Sequence, residues 1–105
     1  MTALSQEHPD PLMQQQAAQA AALLRTVGNE RRLLVLCLLI KHGEMSVGAL
    51  ARHVDLSQST LSQHLAKMRE EGLVSFRREA QNAYYRISDP KVEALLEALK
   101  NIFCP

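Results

Sequence analysis

Hydrophobic positions recur along this chain first with a helical period and then with a period of two. Near the start, Asp10-Pro11 has the form of an N-cap followed by proline at the first helical position. Ala20, Leu23, Leu24 and Val27 then fall at i, i+3, i+4 and i+7, which predicts a Gln/Ala-rich helix to about Val27, ended by Gly28. Asn29 can cap a second helix running to about Lys41. Its eight consecutive apolar residues, Leu33 to Ile40, make it apolar nearly all round and therefore the expected central buried helix. Gly43 stops it, and Glu44-Met45 suggests a short extended segment. Ser46 caps a short helix through about His53, with Val47, Leu50, Ala51 and Val54 facing inward. After a tight turn at Asp55-Leu56, Ser57 caps a helix to Glu71 whose buried stripe is Leu61, Leu65 and Met68. Gly72 sits where a C′ glycine belongs.

Beyond Gly72 the strand-forming residues Leu73, Val74 and Phe76, then Tyr84, Tyr85 and Ile87, flank a polar stretch from Arg77 to Asn82. This predicts a two-stranded hairpin with Gln81-Asn82 at its tip. Asp89-Pro90 opens a last helix with Val92, Leu95, Leu96, Leu99, Ile102 and Phe103 on one face. The expected fold is mainly α with a small β-hairpin, in the order ααααββα: two short helices joined by a tight turn and followed by a hairpin form a winged helix-turn-helix. One domain over residues 10–105 is expected to follow a polar, disordered tail of residues 1–9.

Composition narrows the function. At 105 residues and 47% hydrophobic, a chain of this size gains from a partner that covers more apolar surface. The longest apolar run is far short of the roughly 20 residues that span a bilayer. No Lys or Arg precedes Arg25, so the start lacks the charge of a signal peptide. These features suggest a soluble, cytoplasmic protein with no membrane partner. Net charge is only +1, but the segment Arg52–Arg86 carries six basic and four acidic residues, or +2. The electrostatic case for nucleic acid therefore rests on placement rather than total charge.

The residues suited to DNA are Ser57, Gln58, Ser59, Thr60, Ser62, Gln63, His64 and Lys67, on and around the face left outward when Leu61, Leu65 and Met68 turn in. Short hydroxyl and amide side chains at a helix start can approach base edges, and Gln can pair bidentately with adenine. The helix N-terminus and serine hydroxyls can also hold phosphate. In the hairpin, Arg77 and Arg78, with Arg86, are placed to reach phosphates or the minor groove. The blander alternatives are an ordinary solvated helix face and a charged hairpin that resists edge pairing.

The stretches Asn29-Glu30-Arg31-Arg32-Leu33, Leu50-Ala51, Leu56-Ser57-Gln58-Ser59, Leu61-Ser62-Gln63-His64-Leu65 and Glu71-Gly72-Leu73-Val74 resemble the ArsR/SmtB winged-helix repressors. The resemblance covers most of the chain. It implies a homodimer joined through the first and last helices, with recognition helices in successive major grooves of an inverted repeat in double-stranded DNA, about 34 Å apart. The first and last helices carry apolar stripes that suit such a partner, or that cover only their own core.

Metal ligation looks unsupported: the helix before the recognition helix has no Cys, the last helix has no His, and His8, His42, His53 and His64 show no pairing at i+3 or i+4. No cofactor motif is present either. Cys37, in Leu36-Cys37-Leu38, and Cys104, in Phe103-Cys104-Pro105, resemble the dithiol, persulfide- or redox-sensing branch of the family, which implies a bridge between the two that lowers DNA affinity. Two inert packing cysteines remain the alternative, as do an antirepressor or activator without thiol sensing and a metal-responsive repressor. An enzyme has nothing to stand on: there is no Cys-x-x-Cys, no glycine-rich phosphate loop and no nucleophile–base spacing.

Overall fold

The structure, a computed structural model, describes residues 9–104; apart from Pro9, the tail expected to be disordered lies outside the described residues. Eight elements follow one another: α1 (Pro11–Val27), α2 (Glu30–His42), β1 (Met45–Ser46), α3 (Val47–Val54), α4 (Gln58–Glu70), β2 (Val74–Glu79), β3 (Asn82–Ile87) and α5 (Pro90–Phe103). Each helix starts at a side chain that satisfies backbone N–H groups the helix itself cannot. Asp10 accepts from Met13 N–H, Asn29 from Arg31 and Arg32, Ser46 from Ala49, Ser57 from Thr60 and Asp89 from Lys91.

The core lies where α2, α3, α4 and the sheet meet. Leu36, Leu39, Leu50, Leu61, Leu65, Met68 and Val92 are fully buried there. The α3–α4 corner is set by Asp55, whose φ of 55° turns the chain in a left-handed conformation that Asp tolerates better than most residues. At the far end of α4, Gly72 takes φ 75° and Leu73 N–H donates to Met68 O at 2.9 Å, closing the helix with a Schellman-type bond. The helix ends at Glu70, with Glu71 as its cap.

The hairpin is larger than the sequence suggested in two respects. β1 joins it, giving a three-stranded antiparallel sheet of order β1-β3-β2 with Met45 opposite Tyr85. The strands also run closer to the tip: Glu79 pairs with Asn82, so the turn is Ala80-Gln81 rather than Gln81-Asn82. Cross-strand pairing of Arg77 with Tyr84 and of Arg78 with Ala83 extends the ladder through the polar stretch that sequence alone assigned to the loop.

The helices differ from expectation in what covers them. α2 buries Val35, Leu36 and Leu39, but Leu34, Cys37 and Ile40 form an exposed strip, so it is not buried all round. α1 buries only Thr26 and Val27, and every residue from Pro11 to Ala22 is exposed. Thr26 donates its hydroxyl to the Glu71 carboxylate, tying the end of α1 to the end of α4. At the other end of the chain, Ile102 and Phe103 of α5 are 67% and 74% exposed, more than any core residue could be.

Candidate nucleic-acid interface and thiol pair

The start of α4 presents a continuous polar face. Ser57, Gln58, Ser59, Thr60, Ser62, Gln63 and Lys67 are all exposed, while Leu61, Leu65 and Met68 point into the core. Within that face the hydroxyls divide. Ser57 Oγ accepts from Thr60 N–H at 3.1 Å and donates to Thr60 Oγ1 at 3.0 Å, so this pair organises the helix start. Gln58, Ser59, Ser62 and Gln63 have side chains with no hydrogen bond to the rest of the described residues, which leaves their amides and hydroxyls available. Lys67 lies 3.7 Å from Glu71 one turn on, a solvated pair that offsets its charge.

His64 is placed differently from its neighbours. It is half-buried, and its Nδ1 accepts a hydrogen bond of 3.0 Å from Arg32 Nε–H at the start of α2. Burial, and secondarily the Arg32 charge, hold its pKa below the ordinary value, so the ring is neutral with its proton on Nε2. Arg31 reaches the end of α3, donating from Nη1 to the Val54 carbonyl at 2.7 Å. Two adjacent arginines of α2 thus hold the two helices of the helix-turn-helix, a role that no pattern of apolar spacing announces.

The wing separates its arginines. Arg77 is held bidentately by Glu44, with Nη2 2.8 Å from Oε1, donates from Nη1 to Glu79 at 2.6 Å, and stacks 4.8 Å from the centre of the Tyr84 ring. These carboxylates push the guanidinium pKa further up, and the same contact holds Glu44 below the usual carboxylate range. Arg78, on the other face of the strand, lies 5.5 Å from the Phe76 ring and has no ion pair among the described residues. Arg69 was not singled out in the sequence. It lies 5.0 Å from the same ring and donates to the Tyr85 hydroxyl at 3.3 Å, fixing the end of α4 to the wing.

Cys37 and Cys104 are both free and exposed. Although the residue is exposed, partial desolvation of the Cys37 sulfur against its neighbours raises its thiol pKa above the ordinary 9.0, and the Cys104 charge raises it further by repulsion. Cys37 in the middle of α2 and Cys104 at the end of α5 are thus near enough for one charge to be felt at the other, although most of the sequence separates them.

Residues 29–75, spanning α2 to the first residues of the wing, match the bacterial regulatory protein arsR family. The transcriptional activator HlyU of Vibrio cholerae is 47% identical over 88% of this chain and 84% of its own. The chain belongs to the ArsR family. A structure of reduced HlyU from Vibrio cholerae N16961, covering 89% of this chain and 97% of that one at 46% identity, superposes with a TM-score of 0.83. The biofilm growth-associated repressor of Agrobacterium fabrum is 45% identical over 93% of this chain and 83% of its own. A homodimeric winged helix-turn-helix DNA-binding domain, Mb0332 from Mycobacterium bovis, is 31% identical over 90% of this chain and 86% of that domain, with a TM-score of 0.77. This ArsR-family protein is a winged helix-turn-helix transcriptional regulator, and its relatives are DNA-binding regulators rather than enzymes. No helix among the described residues is long and apolar enough to cross a membrane.

Proposed function

We propose that this regulator binds an inverted-repeat operator as a homodimer and that a bridge between Cys37 and Cys104 lowers its affinity. The dimer joins α1 and α5 of each protomer to those of the other. Supporting this are the apolar side chains that a single protomer leaves uncovered: Leu12, Met13 and Leu24 on α1, and Ile102 and Phe103 on α5. Base edges are read by Gln58, Ser59, Ser62 and Gln63, and Arg78 is the wing residue that meets phosphate, because Arg77 already has two carboxylate partners.

The observation that carries the thiol reading is that two exposed cysteines, one in α2 and one capping α5, lie near enough for the Cys104 charge to raise the Cys37 pKa. With peroxide, one thiolate attacks the O–O bond to give a sulfenic acid and hydroxide, and the second thiol displaces water to close a disulfide. With a persulfide donor, one sulfur is transferred to a cysteine and the donor leaves as its thiol. The partner cysteine then attacks the inner sulfur and releases hydrosulfide. The raised pKa of Cys37 makes it slow at neutral pH, which leaves the first attack to Cys104 and the intramolecular closing step to Cys37. The bridge would tether the end of α5 to α2, the helix from which Arg31 and Arg32 hold the reading head.

Mass spectrometry of the peroxide-treated protein tests the chemistry. Loss of the two thiol hydrogens within one protomer, with a Cys37–Cys104 cross-linked peptide, supports it. Sulfenic or sulfinic products on separate cysteines, with no cross-link, would rule the bridge out.

A further inference from the structure

His42 and His53 are 11 positions apart, on different helices, and neither has a histidine one turn away. The loop through β1 folds them together: their ring centres stand 6.2 Å apart with planes inclined at 55°. Neither ring belongs to the DNA-reading face or to the thiol pair.

We propose that His42 and His53 form a two-histidine site for a borderline divalent transition ion, with water completing its coordination. Three features of the pair support this. The first is reach: two imidazoles sharing one ion at a tetrahedral angle, each nitrogen about 2.0–2.1 Å from it, have ring centres roughly 5 Å apart. The observed separation is about 1 Å wider, a gap that turning the exposed His42 ring closes.

The second is the hydrogen bond that anchors His53. Its Nδ1 is 2.8 Å from the Ala49 carbonyl, which can only accept, so Nδ1 carries the proton and donates it there. In the neutral ring Nε2 then keeps its lone pair, and an imidazole anchored through its other nitrogen to a backbone carbonyl is the arrangement that orients histidine ligands. His42 has no hydrogen bond to other described residues and is exposed, so its ring is free to turn to the ion.

The third is the local field. His42 is the last residue of α2 and His53 the penultimate residue of α3. Both rings therefore sit at the negative ends of helix dipoles, which favour a cation. Of the basic neighbours, Arg52 turns its guanidinium toward Gly48, where its Nη1 is 4.0 Å from the position a Cβ would take. Lys41 is exposed and adjoins His42 on α2. A bound ion would pin the end of α2 to the first helix of the helix-turn-helix.

Zn2+ titration of the full chain, carrying Cys37→Ser and Cys104→Ser so that thiols cannot compete, tests the site by NMR of the histidine side chains. The expected result is that His42 and His53 signals move together with one affinity while His64, held by Arg32, stays still. Either His42→Ala or His53→Ala should weaken Zn2+ binding at least tenfold, with an unchanged circular dichroism spectrum because both rings are exposed. The proposal is overturned if no imidazole signal moves, or if each moves with the same affinity when the other has been replaced by alanine.

Discussion

Arg32 Nε–H donates to His64 Nδ1 at 3.0 Å, joining the start of α2 to the middle of α4. A residue that sequence placed among the DNA contacts is therefore also a joint between the reading helix and the helix that carries Cys37. The proton it lacks in the folded state gives the joint a pH dependence. Burial, then the Arg32 charge, keeps the His64 pKa below its ordinary 6.5, so the unfolded chain takes up this proton at a higher pH than the folded one. The stability His64 contributes is complete above about 6.5 and is lost as pH falls through the window below it. Thermal unfolding followed from pH 8 to pH 5 should show this loss, and His64→Gln should flatten it; an unchanged slope in that variant would contradict the assignment.

The wing arginines should be unequal. Arg78 has no carboxylate partner among the described residues, whereas Arg77 is held by Glu44 and Glu79. Arg78→Ala should weaken specific and random DNA alike and reduce the salt dependence of binding by about one phosphate contact. Arg77→Ala should change it less. Fluorescence anisotropy over a salt series separates the two, and a larger loss for Arg77→Ala would mean that DNA displaces the carboxylates.

Gln63 lies on the exposed face of α4, away from the Arg32–His64 joint. Gln63→Ala should cost about 1–3 kcal/mol on a selected operator, the range for one bidentate base contact, and little on random duplex. Equal losses on both would reduce Gln63 to a phosphate contact.

Ala80 occupies the first position of the two-residue hairpin turn with φ 57°, where a Cβ is disfavoured. Ala80→Gly should stabilise the protein by up to about 1 kcal/mol, since the steric cost of the left-handed conformation exceeds the extra chain entropy of glycine. Urea unfolding measures the difference.

Cys37 should be alkylated slowly at neutral pH and faster as pH passes 9.0. Cys104→Ser removes the smaller cause of its raised pKa and should shift the profile down, while burial keeps it above 9.0. Rates of iodoacetamide labelling against pH give the comparison.

Helix starts and the core of the helix-turn-helix were legible because they are local. Asp10, Asn29, Ser46, Ser57 and Asp89 each cap the helix that follows, and the stripe Leu61, Leu65, Met68 is buried as its spacing predicts. The exposed polar face of α4 followed from that stripe. What sequence missed depends on contacts between distant positions. The short extended segment suggested at Glu44-Met45 is there as β1, but its pairing with β3 was not legible. The capture of Arg77 by Glu44 spans 33 positions, and the meeting of His42 and His53 crosses a loop, where a search for ligands one turn apart along a helix finds nothing. The exposed strip Leu34, Cys37, Ile40 has the same origin: apolar periodicity counts apolar residues, while burial depends on which neighbours arrive.

The proposed thiol control of this regulator's affinity for DNA is tested most directly by operator binding of reduced and peroxide-treated protein, side by side, for the native chain and Cys37→Ser. A duplex selected from a randomised pool by the reduced protein serves as operator. Oxidation should weaken the native protein at least tenfold, about 1.4 kcal/mol, and leave Cys37→Ser at its reduced affinity. Equal affinity in both redox states of the native chain, or an undiminished response in Cys37→Ser, would contradict the account.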